Sequence, residues 1–472
     1  MRKSIAVSAV VGSLLLIAPP CSAAQNDSDR KYLRSPMPES WAYTSELIQT
    51  LPSDDNWWKR FNDPVLDSLI STGIDNNFDV VTAIARMNMA KAQIKQAEAG
   101  YYPTIDLNAG YTHERNAGAI SGKNVKSVNS GYFSLGAEMN WEIDLFGKIT
   151  GQVKGKKAQY RASRAEYMAT MVSLSAEIAT CYFNLRTAQR QLYVTTEHLA
   201  SEGRVVEIAK ARFEAGLVSK LDVTQALTVY YSTEATIPQL QTSVKQAVNA
   251  IAILLGVYPE EISHRLKATD NVPEYRQLIP AGIPANLLRR RPDIVAAEQN
   301  IAAYIQASEV AKRDFLPDFS INGSIGVGSQ ALSDLFGDNS LDYRISPTLT
   351  WTLFDGFARK AAVAESKEQI RIGIDNYNQT VMTAVQEVDN AMIAYSSSLR
   401  AIDSYTKVIE QCDESFHLSL NLYKDGLTPF TNVVDAQINS LTYANSLVAT
   451  RGDALVNLVN LYKALGGSPF IE

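Results

Sequence analysis

Apolar and polar residues alternate strictly in four short stretches of the chain. In two very long stretches the apolar positions instead recur every three or four residues. Phe133, Leu135, Ala137, Met139, Trp141, Ile143 and Leu145 hold the odd positions of one run, with Ser134, Gly136, Glu138, Asn140, Glu142 and Asp144 between them. Ile105, Leu107, Ala109 and Tyr111 alternate with Thr104, Asp106, Asn108 and Thr112 just before it. Farther along, Phe319, Ile321, Ile325 and Val327 alternate with polar residues, and so do Ile345, Leu349, Trp351 and Leu353. Period two predicts strands with one apolar and one wet face. The long stretches, about Lys148 to Leu255 and Arg359 to Leu465, carry the helical period. Pro238 and Pro429 are predicted to interrupt them, and Gly216 and Gly426 to divide each into two antiparallel helices. A helix of ~50 residues reaches about 75 Å, far beyond a bilayer, so these helices belong in an aqueous compartment.

The chain is written twice. Phe213 to Leu217 (FEAGL) answers Tyr423 to Leu427 (YKDGL), and Gly426 minus Gly216 gives an offset of 210. The same offset relates Trp351 to Trp141 and Gly466 to Gly256. Each half reads helix, strand, loop, strand, long helical region. The expected organisation is a leader (1–24), an extended segment (25–63), a first repeat (64–256), a linker (257–291) and a second repeat (292–472).

Alternating strands also fit a soluble sandwich with its apolar faces inside. Four strands are few for a chain of 472 residues, however, and they come as two widely separated hairpins. Strands of ~10 residues instead suit an apolar band of about 25 Å, as in outer-membrane barrels. Barrels start near eight strands, so several chains must contribute, and three would give an even number. The fold class is therefore mixed α and β, mostly helical, with a shared transmembrane β-barrel joined to long helices suited to lining a water-filled tube.

The N terminus reads as an export leader, with Arg2 and Lys3 before an apolar run from Ile5 to Ala18. Cys21 stands where a lipidated cysteine would, but it follows Pro19 and Pro20. Ser22-Ala23-Ala24 offers the favoured ordinary cut before Gln25. A formal net charge of −6 points to no nucleic-acid partner. Cys181 and Cys412 lie in helical runs and make no disulfide framework. The sequence after the leader contains no run of 18 apolar residues, which leaves a closed barrel as the way to span a membrane. His113, His198, His264 and His417 lack metal-ligand spacing. Gly326-Val327-Gly328 opens no helix, and no nucleophile elbow appears. No cofactor is expected. A surface enzyme and an adhesive coiled-coil protein are the competing classes, and lumenal alternation in the strands argues against both.

Trp57 to Ile70 (WWKRFNDPVLDSLI) resembles the opening motif of outer membrane efflux proteins of the OprM/NodT branch, the TolC-like outer membrane factors. So do Ile283 to Ile294 (IPANLLRRRPDI), Trp351 to Gly356 (WTLFDG) and Tyr423 to Gln437. The resemblance implies a homotrimer with a twelve-stranded barrel and periplasmic α-barrel. It implies a periplasmic adaptor and an inner-membrane pump, often of the resistance-nodulation-division type, as partners. The adaptor-docking tips would be Gly216, Leu217, Val218, Ser219, Gly426, Leu427 and Thr428. The resemblance also places a pore-constricting aspartate at Asp435, with Asn432 where a relative has a second aspartate. Tyr423 and Asp222 match two positions of a closing latch, Thr428 stands in place of its arginine, and Phe430 and Thr431 add packing.

Overall fold

Two helices of 67 residues set the frame. The computed structural model describes residues 48–49, 56–116, 128–267, 279–280 and 290–467, all within the unit 37–472. The expected leader, with Cys21, lies outside them. In chain order the elements are β1 (Ile48–Gln49), α1 (Pro64–Asn76), α2 (Phe78–Glu98), β2 (Thr104–Asn116), β3 (Val128–Ile143), α3 (Lys148–Glu214), α4 (Lys220–Leu254), α5 (Pro259–Ser263), β4 (Ile279–Pro280), α6 (Pro292–Arg313), β5 (Asp318–Ser329), β6 (Leu341–Thr350), α7 (Ala358–Lys424) and α8 (Phe430–Ala464).

The long helical regions divide at Gly216 and Gly426, but unevenly: 67 and 35 residues in each half rather than two similar helices. At 1.5 Å per residue α3 and α7 are about 100 Å long. The shorter helices are completed end to end by elements from elsewhere in the sequence. Asn77 caps α2 and donates from Nδ2 to Leu254 O at the end of α4, 2.9 Å away. Arg291, just before α6, donates from Nη1 to Ala464 O at the end of α8, 2.7 Å away. The same guanidinium pairs with Asp293 and with Glu387 of α7, each at 2.8 Å. The arginine-proline-aspartate motif thus joins three helices, and the proline occupies the first helical position, where its missing N–H costs nothing.

Pro238 does not break its helix; α4 runs through it. Its position is exposed, so water can satisfy the carbonyl one turn earlier that loses its partner. Pro429 sits at the N-cap of α8, where a proline ends nothing. The segment expected to be extended through residue 63 closes with a 3-10 turn, Trp57–Phe61. Trp57 stacks on Tyr462 with ring centroids 5.2 Å apart. Around it Leu66, Leu69, Ile70, Tyr182, Phe183, Leu255 and Leu458 form the main core at the middle of α3. The parallel bridge of β1 to β4 pairs Ile48 with Ile279.

The remaining strands form one antiparallel sheet in the order β2-β3-β5-β6. The predicted fourth strand was too long by three residues: β6 ends at Thr350, and Trp351 to Leu353 are irregular. The duplication is visible in detail. The indole of Trp141 donates to Tyr101 O at 3.0 Å, and that of Trp351 donates to Phe315 O at 3.0 Å.

Candidate functional site

The sheet is a wall with two chemistries. Register pairs Ala109 with Leu135, Leu135 with Val327, Trp141 with Ile321, and Phe319 with Leu349, so every apolar run falls on one face. Met139 shares it. Glu138, Asn140, Glu142 and Thr348 fall on the other face, with Asp106, Asn322 and Ser320 as cross-strand neighbours. Leu107 is 77% and Ile345 73% exposed in the single chain. A continuous uncovered apolar face of this kind is unstable in water and suited to lipid. Among the described residues no helix is long and apolar enough to cross a membrane, and no group of histidine, cysteine or acidic residues is placed to hold a metal.

At the far end of the long helices, two hairpin turns carry the predicted tip residues. Gly216 and Gly426 adopt φ of +72° and +76°, which an L side chain resists. Each helix end closes with the same pair of bonds: Gly216 N to Phe213 O and Leu217 N to Arg212 O, Gly426 N to Tyr423 O and Leu427 N to Leu422 O. The turns force Leu217 (65%) and Leu427 (74%) into the open. Ser219 caps α4 through Leu221 N, and Val218 packs inward. Thr428 Oγ1 accepts from Asn432 Nδ2 at 2.6 Å.

Just above the turns a small apolar cluster of Val205, Val206, Ala209, Ala226, Phe430 and Val433 surrounds Tyr423. The Tyr423 hydroxyl donates to Asp222 Oδ2 at 3.0 Å, tying α7 to α4. Phe430 lies against the same ring, centroids 5.0 Å apart. Burial first, and then the Asp222 carboxylate, push the Tyr423 phenol up to about 12, so it remains a donor at neutral pH. With Thr428 in place of the expected arginine, this contact needs its cation from elsewhere. Arg212 of α3 supplies one: its guanidinium sits 5.0 Å above the Tyr423 ring and donates to Lys424 O. A basic residue in the last turn of α3 was the available signal, but only the fold brings that turn beside α7. Asp435, Asn432 and Thr431 share an exposed face of α8, and a single chain does not bring them together with Tyr423.

Sequence reasoning also missed Glu202, buried between α3 and α4, where its Oε1 accepts from Thr233 Oγ1 at 3.0 Å and Oε2 has no partner. Burial pushes its carboxyl from 4.5 up to about 7, against the opposing hydrogen bond. Between those pH values the folded chain keeps a proton that the unfolded chain has lost, so stability falls as pH rises. The contribution is complete below pH 4.5 and gone above about 7. Glu202→Gln, neutral at all pH, is expected to remove this decline and to raise the melting temperature at pH 8. Thermal unfolding at pH 5 and pH 8 checks it; a variant with the parent's pH dependence would contradict the assignment.

A sheet with a lipid face and a wet face, carried on helices of about 100 Å that end in tight turns, defines an outer-membrane channel built with a helical conduit. The chain belongs to the outer membrane efflux protein family, which it matches over residues 69–257 and again over 283–467. It is 29% identical to outer membrane protein OprJ of Pseudomonas aeruginosa over 472 residues, covering 99% of this chain and 97% of that protein. It is 28% identical to nodulation protein T of Rhizobium leguminosarum bv. viciae, covering 98% and 94%. The solved outer-membrane channel OprN superposes with a TM-score of 0.85 at 28% identity, over 92% of this chain and 98% of that one. The protein is an outer-membrane channel component of efflux pumps, and not an enzyme.

Proposed function

We propose that three copies of the chain close one twelve-stranded barrel. The duct takes solutes from an inner-membrane pump, of the resistance-nodulation-division type, through a periplasmic adaptor. The observation that carries this reading is the four-stranded sheet itself: β2 and β6 have open edges within one chain, and the apolar face is uncovered. The leader 1–24 directs export, the N-terminal segment 25–63 leads into the first repeat, the linker 257–291 joins the halves, and the repeats 64–256 and 292–472 build the wall. Removal with the leader is the favoured fate of Cys21, with lipidation as the alternative. The adaptor meets the exposed turns around Leu217 and Leu427.

The closure sits at the same end. Three Asp435 side chains form an acidic ring, softened by Asn432 in place of a second carboxylate, and Thr431 lies on the same face. A ring of carboxylates in a narrow pore attracts cations. The Tyr423–Asp222 bond, with Phe430 and Arg212, holds the helix pairs in the closed arrangement. Single-channel recording in a planar bilayer with divalent cations tests both levels. The parent is expected to conduct poorly and to be blocked by divalents, and Asp435→Ala to conduct more and lose the block. A parent with no channel activity under any gating condition would overturn the duct, and identical block in parent and variant would overturn the ring.

A further inference from the structure

The upper part of α3 has two buried flanks and two exposed faces of opposite character. Gly100, in the 3-10 turn that follows α2, lies against Ile149, and Gly151 and Gly155 lie against Val310 and Gln306 of α6. Between those flanks, one exposed face carries Lys154, Lys157, Arg161 and Arg164, spaced three, four and three residues apart. The other carries Gln152, Gln159 and Glu166, with Lys156 at its edge donating to Gln159 Oε1 at 3.1 Å. From Lys148 to Ala165 the helix contains no acidic residue. The duplication repeats the basic face in part on α7: adding 210 takes Lys157 to Lys367, Arg161 to Arg371 and Thr150 to Lys360, while Lys154 and Arg164 become Ala364 and Ile374. Lys157 pairs with Glu98 at 3.1 Å and Arg371 with Glu368 at 2.7 Å, so part of this charge is already balanced.

Chirality decides which side of the wall this face occupies. Gly328 N donates to Ser340 O, so polar-face residues of β5 aim their amides at β6, and apolar-face residues aim theirs at β3. An L-residue strand running upward, seen from the side its chains point to, directs the amides of those residues to the right. β5 runs upward out of α6. Seen from the apolar side, β3 therefore lies to the right of β5, and the helices below follow the order α2, α3, α6, α7 from right to left. Helix α3 descends from the sheet, and its right-handed turn carries side chains clockwise when viewed from above. A clockwise sweep from the α2 contact to the α6 contact passes through the apolar, outer side. The basic face lies in that sector, and the glutamine face lies toward the interior.

We infer that this outer basic belt, just below the barrel, binds the anionic headgroups of phospholipids in the periplasmic leaflet of the outer membrane. Trp141 and Trp351, at the lower end of the apolar face, mark the waterline as interfacial indoles do. Lys360 begins about 3 Å and Lys154 about 9 Å below the helix starts, at headgroup depth. Lys157, Lys367 and Arg161 act from farther down, within about two screening lengths. Charge complementarity selects the occupant: a belt rich in cations fits phosphate esters with net negative charge, and zwitterionic lipids offer it much less.

The test reconstitutes the full-length channel in phosphatidylethanolamine vesicles holding traces of spin-labelled phosphatidylglycerol or phosphatidylcholine. The fraction of each label immobilised at the protein is then compared. The parent is expected to prefer phosphatidylglycerol by about fivefold or more, given the attraction of each basic residue near a surface, with the preference falling at high salt. Replacing Lys154, Lys157, Lys360 and Lys367 with Gln should erase the preference, and replacing the same four with Arg should retain it. Equal preference in the parent and the Gln variant, or no preference in the parent at low salt, would overturn the inference. So would parent binding to purified peptidoglycan that the Gln variant loses while its lipid preference stays unchanged; that outcome would assign the belt to the cell wall.

Discussion

Leu135→Arg is expected to abolish assembly of the channel, while Asn140→Arg leaves it largely intact. The two residues lie on the same strand, five positions apart and on opposite faces, with Asn140 nearer the end of the strand. Leu135 sits in the interior of β3 between Ala109 and Val327, with apolar neighbours on both sides. A guanidinium there costs about 2–4 kcal/mol at the bilayer midplane. The proposed trimer would bear that cost three times, against a total stability on the order of 5–15 kcal/mol for a typical domain. Asn140 lies between Thr104 and Asn322 on the wet face, where an arginine stays hydrated. The fraction of each variant recovered as heat-labile oligomer in outer membranes measures this directly. Equal losses would mean that the two faces have been assigned wrongly.

The second large effect is expected at the contact between α7 and α4. Tyr423→Phe with Asp222→Asn removes a hydrogen bond to a charged group, which is worth about 1.5–3 kcal/mol. Each copy then shifts the closed-to-open balance by roughly tenfold or more, and three copies acting together shift it much further. Mean conductance in a planar bilayer should rise sharply, with the Phe ring preserving the packing against Phe430. Arg212→Gln, which removes the cation above the ring, should act in the same direction and more weakly. A double variant that stays as closed as the parent would show that this bond is a packing detail.

The elements visible in the sequence are those whose determinants are local. Strict alternation from Phe133 to Ile143 fixes both the strand and its faces, because side chains on a pleat have no other choice. The glycines at 216 and 426 mark the turns, since a positive φ admits little else. What the sequence hid is long-range. Nothing local to Asn77 or Arg291 says that each will cap the end of a helix about 175 residues away, turning four shorter helices into two stacked columns. The same holds for Arg212 and Glu202, whose partners come from other helices. Pro238 misled for the opposite reason: its local rule is sound, but an exposed helix face lets solvent repair the lost bond.

The assembly rests on one count that a single measurement reaches. The four strands of this sheet leave two open edges, and a barrel needs at least about eight strands to close. The mass of the protein extracted from outer membranes in mild detergent, corrected for bound detergent by light scattering with absorbance and refractive index, should equal three chains. A particle holding one chain, stable and folded in the same detergent, would contradict the shared barrel and with it the duct.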